Sequence, residues 1–366
     1  MLNFLRKFRY LDLPLLTAVF LLSLAGLALL YSTSLSSESL TVFFRQVIFL
    51  AVGWLVFLFF CFFDYHALCK SARVLYFFSI VALAYVLFFG SIIRGGRRWI
   101  SLGLFNFQPA EFVKIVVILG LARILYLQRG QINSWLSILR SFIYVLIPIV
   151  LVLLEPDFGS AAVMFGLWAG MVALSPIKKK FLVGLLALCG ILSLFVWHFL
   201  LQDFQKDRVR VFLDPGRDLS GQGYNVRQAV VAVGSGGLFG RGLGQGSQSQ
   251  NRFLPERQTD FIFAASAEQI GLLGSVGLLA LFFFLLKRLV AIMFKARDDL
   301  GMYVAGGACL LLLIHTLVNI GMNIGLLPVT GIPLPFLSAG GSFFIMLMIA
   351  LGLAQNVSLQ SKALRF

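Results

Sequence analysis

Charge is scarce in this chain. Of 366 residues only 12% are Asp, Glu, Lys or Arg, about half the usual share of a soluble domain, and no polar stretch is long enough to form one. Histidine is nearly absent. His66, His198 and His315 are scattered, with neither a zinc-protease pair nor a serine-hydrolase elbow around them. The four cysteines, Cys61, Cys69, Cys189 and Cys309, lack the paired spacing of a metal site or disulfide framework. Lys-Ser and Lys-Thr are missing from the end of the glycine run 234–246, so that run is not a nucleotide-binding loop and reads instead as a tightly turning or flexible segment. No cofactor is called for.

What the chain has is apolar sequence, 60% hydrophobic with a mean hydropathy of +0.94. Runs long enough to cross a bilayer, roughly 20 residues each, fall at 13–32, 43–63, 73–92, 109–127, 138–154, 159–175, 181–201, 260–286, 302–325 and 338–357. The expectation is an all-α integral membrane protein of about ten transmembrane helices, one domain over 1–366, with a large loop at 202–259 between spans 7 and 8. Arg6, Lys7 and Arg9 precede the apolar stretch Leu13 to Leu30, which is too long for a signal peptide and reads as an uncleaved first span. Basic residues fall in every second connection: the N-terminus, Lys70/Arg73, Arg129, Lys178 to Lys180, Lys287/Arg288/Lys295/Arg297 and Lys362/Arg365. That alternation predicts both termini in the cytoplasm and the loop 202–259 outside. The net charge of +15 therefore implies membrane lipid as a partner and no nucleic acid.

Two outside connections break the charge rule. One carries Arg94, Arg97 and Arg98; the other carries Lys206, Arg208, Arg210, Arg217, Arg227, Arg241, Arg252 and Arg257. Arginine's rigid fork suits phosphate oxygens, so an anionic, phosphate-bearing ligand at the outer interface is expected, against the simpler reading of solvated loops. Carboxylates gather at the same level. Glu111 and Lys114 are three apart and share a helix face; Glu155 and Asp157 flank Pro156 after span 5. Asp260, after Thr259, opens span 8 and is either a helix cap or a general base for a bound hydroxyl. Glu268 lies eight residues on, about 12 Å deeper, too far for a carboxylate pair. The apolar but helix-breaking stretch Leu326 to Phe336 is expected as a re-entrant wall.

Several blocks resemble the shape, elongation, division and sporulation (SEDS) family that includes RodA and FtsW. They are Gly95 to Ile100, Phe107 to Lys114, Glu155 to Ala161, Arg210 to Pro215, Gly221 to Gly246, Phe253 to Phe263 and Asn319 to Phe336. The resemblance implies a peptidoglycan glycosyltransferase that polymerises lipid II at the outer face of the bacterial cytoplasmic membrane. Asp260 would deprotonate the acceptor 4-hydroxyl, and undecaprenyl diphosphate would leave with inversion. Substrate would be held by Arg97, Arg98, Trp99, Glu111, Lys114, Glu155, Asp157, Arg208, Arg210, Gln258 and Thr259. A single-pass class B penicillin-binding protein is implied as partner; no cofactor is required, and a divalent cation at the diphosphate stays open. Met322 to Ile332 and the short N-terminus resemble RodA, Gly242-Leu243-Gly244 resembles FtsW, and the balance favours the elongation branch. A lipid flippase and a non-catalytic cell-wall scaffold are the rival readings.

Overall fold

The computed structural model describes residues 10–35, 40–93, 96–101, 103, 106–129, 134–195, 198–199, 203–214, 218, 221–251 and 253–362. Arg6, Lys7, Arg9, Arg94, Gly95, Pro215, Arg217, Arg252 and Arg365, used above, lie outside the described residues.

Helices occupy each expected run: α1 (Leu13–Ser34), α2 (Thr41–Phe62), the short α3 (Tyr65–Lys70), α4 (Ala72–Phe89), α5 (Pro109–Leu127), α6 (Trp135–Leu154), α7 (Phe158–Ala173), α8 (Lys179–Phe195), α12 (Ile262–Phe294), α13 (Asp299–Asn323) and α14 (Gly341–Lys362). Within the loop after α8 lie α9 (Asp203–Leu213), α10 (Gln222–Ser235) and α11 (Ser247–Gln250). Seven of the described helices, α1, α2, α4, α6, α12, α13 and α14, are long and apolar enough to cross a membrane. α5 carries Glu111, Lys114 and Arg123, whereas α7 has 16 residues and α8 has 17.

The expectation of a wholly helical chain needs one correction. Between α4 and α5 the strands β1 (Ser91–Ile93), β2 (Gly96–Ser101) and β3 (Asn106–Phe107) form an antiparallel sheet in that order. Bulky and β-branched residues such as Trp99 and Ile100 suit extended backbone, and the segment lies beyond the helix ends, where an open sheet edge is tolerated.

α5 and α13 form the centre. Most residues of α5 are buried, and α13 packs on α5, α7, α12 and α14, while α14 lies along α2. Around them, Phe77, Phe88 and Phe283 are exposed, an apolar surface matched to lipid tails rather than to water.

α12 is broken at Gly271, whose φ of 66° and ψ of −168° lie outside the helical region. The glycine run docks on that break. Arg241 N and Gly242 N donate to the carbonyls of Glu268 and Gln269, both at 3.0 Å, and Leu272 N and Leu273 N donate to Gly237 and Leu238 at 2.9 and 3.1 Å. Loop backbone thus replaces the rungs that the break removes. A Cβ on Gly240 would stand 2.2 Å from the Gln269 carbonyl, so glycine is required by contact as well as by its φ of 81°. The glycine run is therefore a turning segment, docked in place. Glu268, fully buried, accepts from Gln248 N and Ser249 N at 2.8 Å each and holds α11.

Candidate active site

Four helices begin at one place. Gln108 precedes α5, Asp157 caps α7, Asp260 stands two residues before α12, and Ser342 lies in the first turn of α14. Their ends, with β2, α9 and the stretch 330–333, enclose a cavity of about 250 Å³. Its charged lining is three cations, Arg98, Lys114 and Arg208, and three carboxylates, Glu111, Asp157 and Asp260. The formal sum is zero. Each helix N-terminus adds roughly half a positive charge, so the cavity is electropositive where it faces the helix ends.

Asp260 is placed through its backbone. Its carbonyl accepts from Asn319 Nδ2 and Asn323 Nδ2, each at 3.0 Å. Asn319 also donates to the Ile332 carbonyl at 2.8 Å, tying the wall segment to the same point. Ser338 Oγ donates to the Thr259 carbonyl at 2.6 Å, and Ala339 N to the Gln258 carbonyl at 2.8 Å. The carboxylate faces Gly331, where an added Cβ would stand 3.6 Å from Oδ2 and where φ is 74°. Phe261, not Asp260, occupies the N-cap position of α12, and its side chain makes no capping bond.

Below the opening, Lys114 Nζ lies 2.8 Å from Glu111 Oε1 and 3.4 Å from His315 Nε2, all three buried. His315 Nδ1 is 3.2 Å from the Pro333 carbonyl, so the proton sits on Nδ1 and Nε2 accepts from the lysine. The ring stacks on Phe343 at 4.5 Å.

Asp157 accepts from Ser160 N at 3.0 Å, Ser160 Oγ at 2.9 Å and Gln108 Nε2 at 3.0 Å, joining the starts of α5 and α7. Arg98 Nε donates to the Glu155 carbonyl at 3.0 Å, and the same guanidinium bonds the Pro156 carbonyl. Arg208 Nη1 donates to the Val329 carbonyl at 3.3 Å while its Nε is buried without a partner. Burial, then the nearby Arg98 charge, pull its pKa down against the opposing pull of Asp260 and Asp157.

Eight of the sequence-derived residues line this cavity: Arg98, Trp99, Glu111, Lys114, Asp157, Arg208, Thr259 and Asp260. Four stand elsewhere. Arg97, next to Arg98 on β2, stays out of the lining, is exposed and donates to the Phe88 carbonyl at 3.4 Å. Arg210, two residues from Arg208 on a helix, turns outward and pairs with Asp207 at 2.9 Å. Glu155 is buried outside the lining, and neither carboxylate oxygen has a partner among the described residues. Gln258 donates to Ser34 Oγ at 3.1 Å and lines an adjoining cavity of about 490 Å³ with Arg45, Gln46 and Arg257.

His315, Ser160, Asn319, Asn323 and Ser338 escaped the sequence reading. A polar residue inside an apolar run was the available signal for His315, Asn319 and Asn323.

Residues 9–363 match the sequence model of the FtsW/RodA/SpoVE family, described as cell cycle protein. The chain is 41% identical to the peptidoglycan glycosyltransferase MrdB of Escherichia coli (strain K12) over 302 residues, 80% of this chain and 79% of that protein. Its fold is similar to a chain solved in a study of how a peptidoglycan synthase complex coordinates polymerization and crosslinking, with a TM-score of 0.81 at 30% identity, covering 96% of this chain and 98% of that one. It is also similar to the rod shape determining protein RodA of Thermus thermophilus, with a TM-score of 0.71 at 29% identity and the same coverage. The chain belongs to the FtsW/RodA/SpoVE family of cell cycle proteins.

Proposed function

We propose that this protein is a peptidoglycan glycosyltransferase that polymerises lipid II for cell elongation. The observation that carries the reading is the meeting of Asp260 with Arg98 and Arg208 at four helix N-termini. A base and an anion-stabilising surface are the two parts that glycosyl transfer from a lipid diphosphate needs. Asp260 takes the proton of the acceptor 4-hydroxyl. The new bond forms from that oxygen to the anomeric carbon as the bond to the diphosphate oxygen breaks, and the configuration inverts. Negative charge growing on the departing diphosphate is met by Arg98, Arg208 and the helix ends, with Lys114 beneath them.

The membrane arrangement follows from charge. Asp260 adjoins the start of α12, while Lys287 and Arg288 lie in the last turns of that 33-residue helix and Lys295 and Arg297 just beyond it, roughly 40–50 Å away. Basic clusters mark the cytoplasmic side, so the cavity faces outward in a single domain of about ten spans with both termini inside. The 41% identity to MrdB and the likeness to RodA favour elongation over division, and the likeness to a synthase chain favours a class B penicillin-binding protein as partner.

The deciding assay is polymerisation of fluorescent lipid II by the purified protein with its transpeptidase partner, wild type beside Asp260→Asn. Glycan ladders from the wild type, reduced at least about 100-fold in the variant, are expected. Equal ladders from both proteins would remove Asp260 as the base, and a folded wild-type complex giving none would remove the polymerase reading.

A further inference from the structure

A second polar cavity, of about 120 Å³, lies at the opposite end of the bundle, between the start of α1 and the ends of α12 and α14. Asp12, Arg288, Lys295, Ser358, Ser361 and Lys362 line it. Asp12 is 2% exposed. It caps α1 through Leu15 N at 3.2 Å and receives Arg288 Nε at 3.1 Å and Nη2 at 2.5 Å, while Lys362 Nζ stands 3.7 Å away.

An ion pair that merely ties three helices together needs one cation for one carboxylate. Among the described residues, three cations surround a single carboxylate here, an excess of two charges. One helix start and two helix ends, each worth roughly half a charge, lower that excess to about 1.5. Asp12 cancels part of the charge and fixes Arg288 in place. Lys295 is on the rim and exposed, and the serine hydroxyls of 358 and 361 lie on the same lining. The surroundings point to lipid. Leu13, Val290 and Phe294, at this same end of α1 and α12, are 65%, 38% and 77% exposed, an apolar border suited to acyl chains. A basic pocket between helix ends at headgroup depth matches the phosphate of an anionic lipid.

We propose that this cavity binds the phosphate of an anionic phospholipid headgroup in the leaflet opposite the Asp260 cavity. Full-length protein is titrated with phosphatidylglycerol or phosphatidylcholine and followed by native mass spectrometry, with inorganic phosphate as a competitor. One phosphatidylglycerol is expected to stay bound, with phosphatidylcholine at least about fivefold weaker, and Lys295→Gln or Lys362→Gln each to weaken phosphatidylglycerol about fivefold. Among the described residues the exposed Lys295 ammonium has no ion pair, unlike those of Arg288 and Lys362, so its variant keeps the test valid if Lys362→Gln loosens the helix ends. Equal binding of the two lipids, or unchanged affinity in Lys295→Gln, overturns the proposal. Displacement by inorganic phosphate at equimolar concentration overturns the lipid assignment and leaves a simple anion site.

Discussion

Asn323 binds the start of α12 on both sides of Asp260's helix entry: its Nδ2 donates to the Asp260 carbonyl at 3.0 Å and its Oδ1 accepts from Ala264 N at 2.9 Å. A side chain of α13 thus caps the first turn of α12. Asn323→Ala is expected to destabilise the protein by about 1–3 kcal/mol, because the Asp260 and Asn319 carbonyls and the Ala264 amide lose a hydrogen-bond partner. Turnover of lipid II should fall more than its apparent affinity does. Thermal unfolding and a substrate titration read the two effects, and an unchanged rate would show that Asp260 is placed by other contacts.

Arg97 and Arg98 separate a site residue from its neighbour. Arg98→Ala is expected to lower polymerisation at least about tenfold, the scale of a lost charge-assisted hydrogen bond, whereas Arg97→Ala stays within about twofold. The comparison is made with both variants at matched expression and folding. A loss confined to Arg97→Ala would reverse the assignment of the two arginines.

The buried Glu111–Lys114 pair makes an asymmetric prediction. Removing one partner leaves an uncompensated charge, so Lys114→Met should cost about 3–5 kcal/mol of stability. The double variant Glu111→Gln/Lys114→Met should recover much of that stability while remaining poor in polymerisation, since the cation below the cavity is gone. Full activity in the double variant would make the pair purely structural.

Glu155 gives stability a pH dependence. Burial, with the Asp157 charge adding to it and Arg98 opposing, pushes its carboxyl up from 4.5 to about 8. The folded protein therefore holds a proton that the unfolded chain releases near 4.5, and stability falls as pH rises from about 4.5 to about 8. Glu155→Gln keeps the uncharged shape. Its melting temperature is expected to exceed that of the wild type at pH 8 and to match it near pH 4.5. Parallel melting curves across this window would show that Glu155 is ionised in the fold.

The spans were legible because each is an unbroken apolar run, and Glu111–Lys114 was legible because three residues on a helix share a face. Placement of the arginines was not. Whether Arg97 or Arg98 faces the cavity depends on a sheet of two-, three- and six-residue strands, too short for a clear alternating pattern. Arg208 and Arg210 differ only through the rotation of α9 against the wall at Val329. Gln258 adjoins Thr259 in sequence, yet its amide turns to Ser34, 224 positions away. Such contacts join distant segments and leave no local signal. The small sheet and the loop's attachment to Gly271 were hidden for the same reason.

Surface connections ordinarily accept added or lost residues. The stretch from Gly237 to Gly242 should not, because the carbonyls of Gly237 and Leu238 and the amides of Arg241 and Gly242 are paired with backbone groups flanking Gly271. A single inserted residue would shift the whole set out of step, and the first turns of α12, which follow directly on Asp260, would lose their alignment with the rest of the helix. Related chains should therefore vary in length before this stretch or after it, and hold its residue count constant.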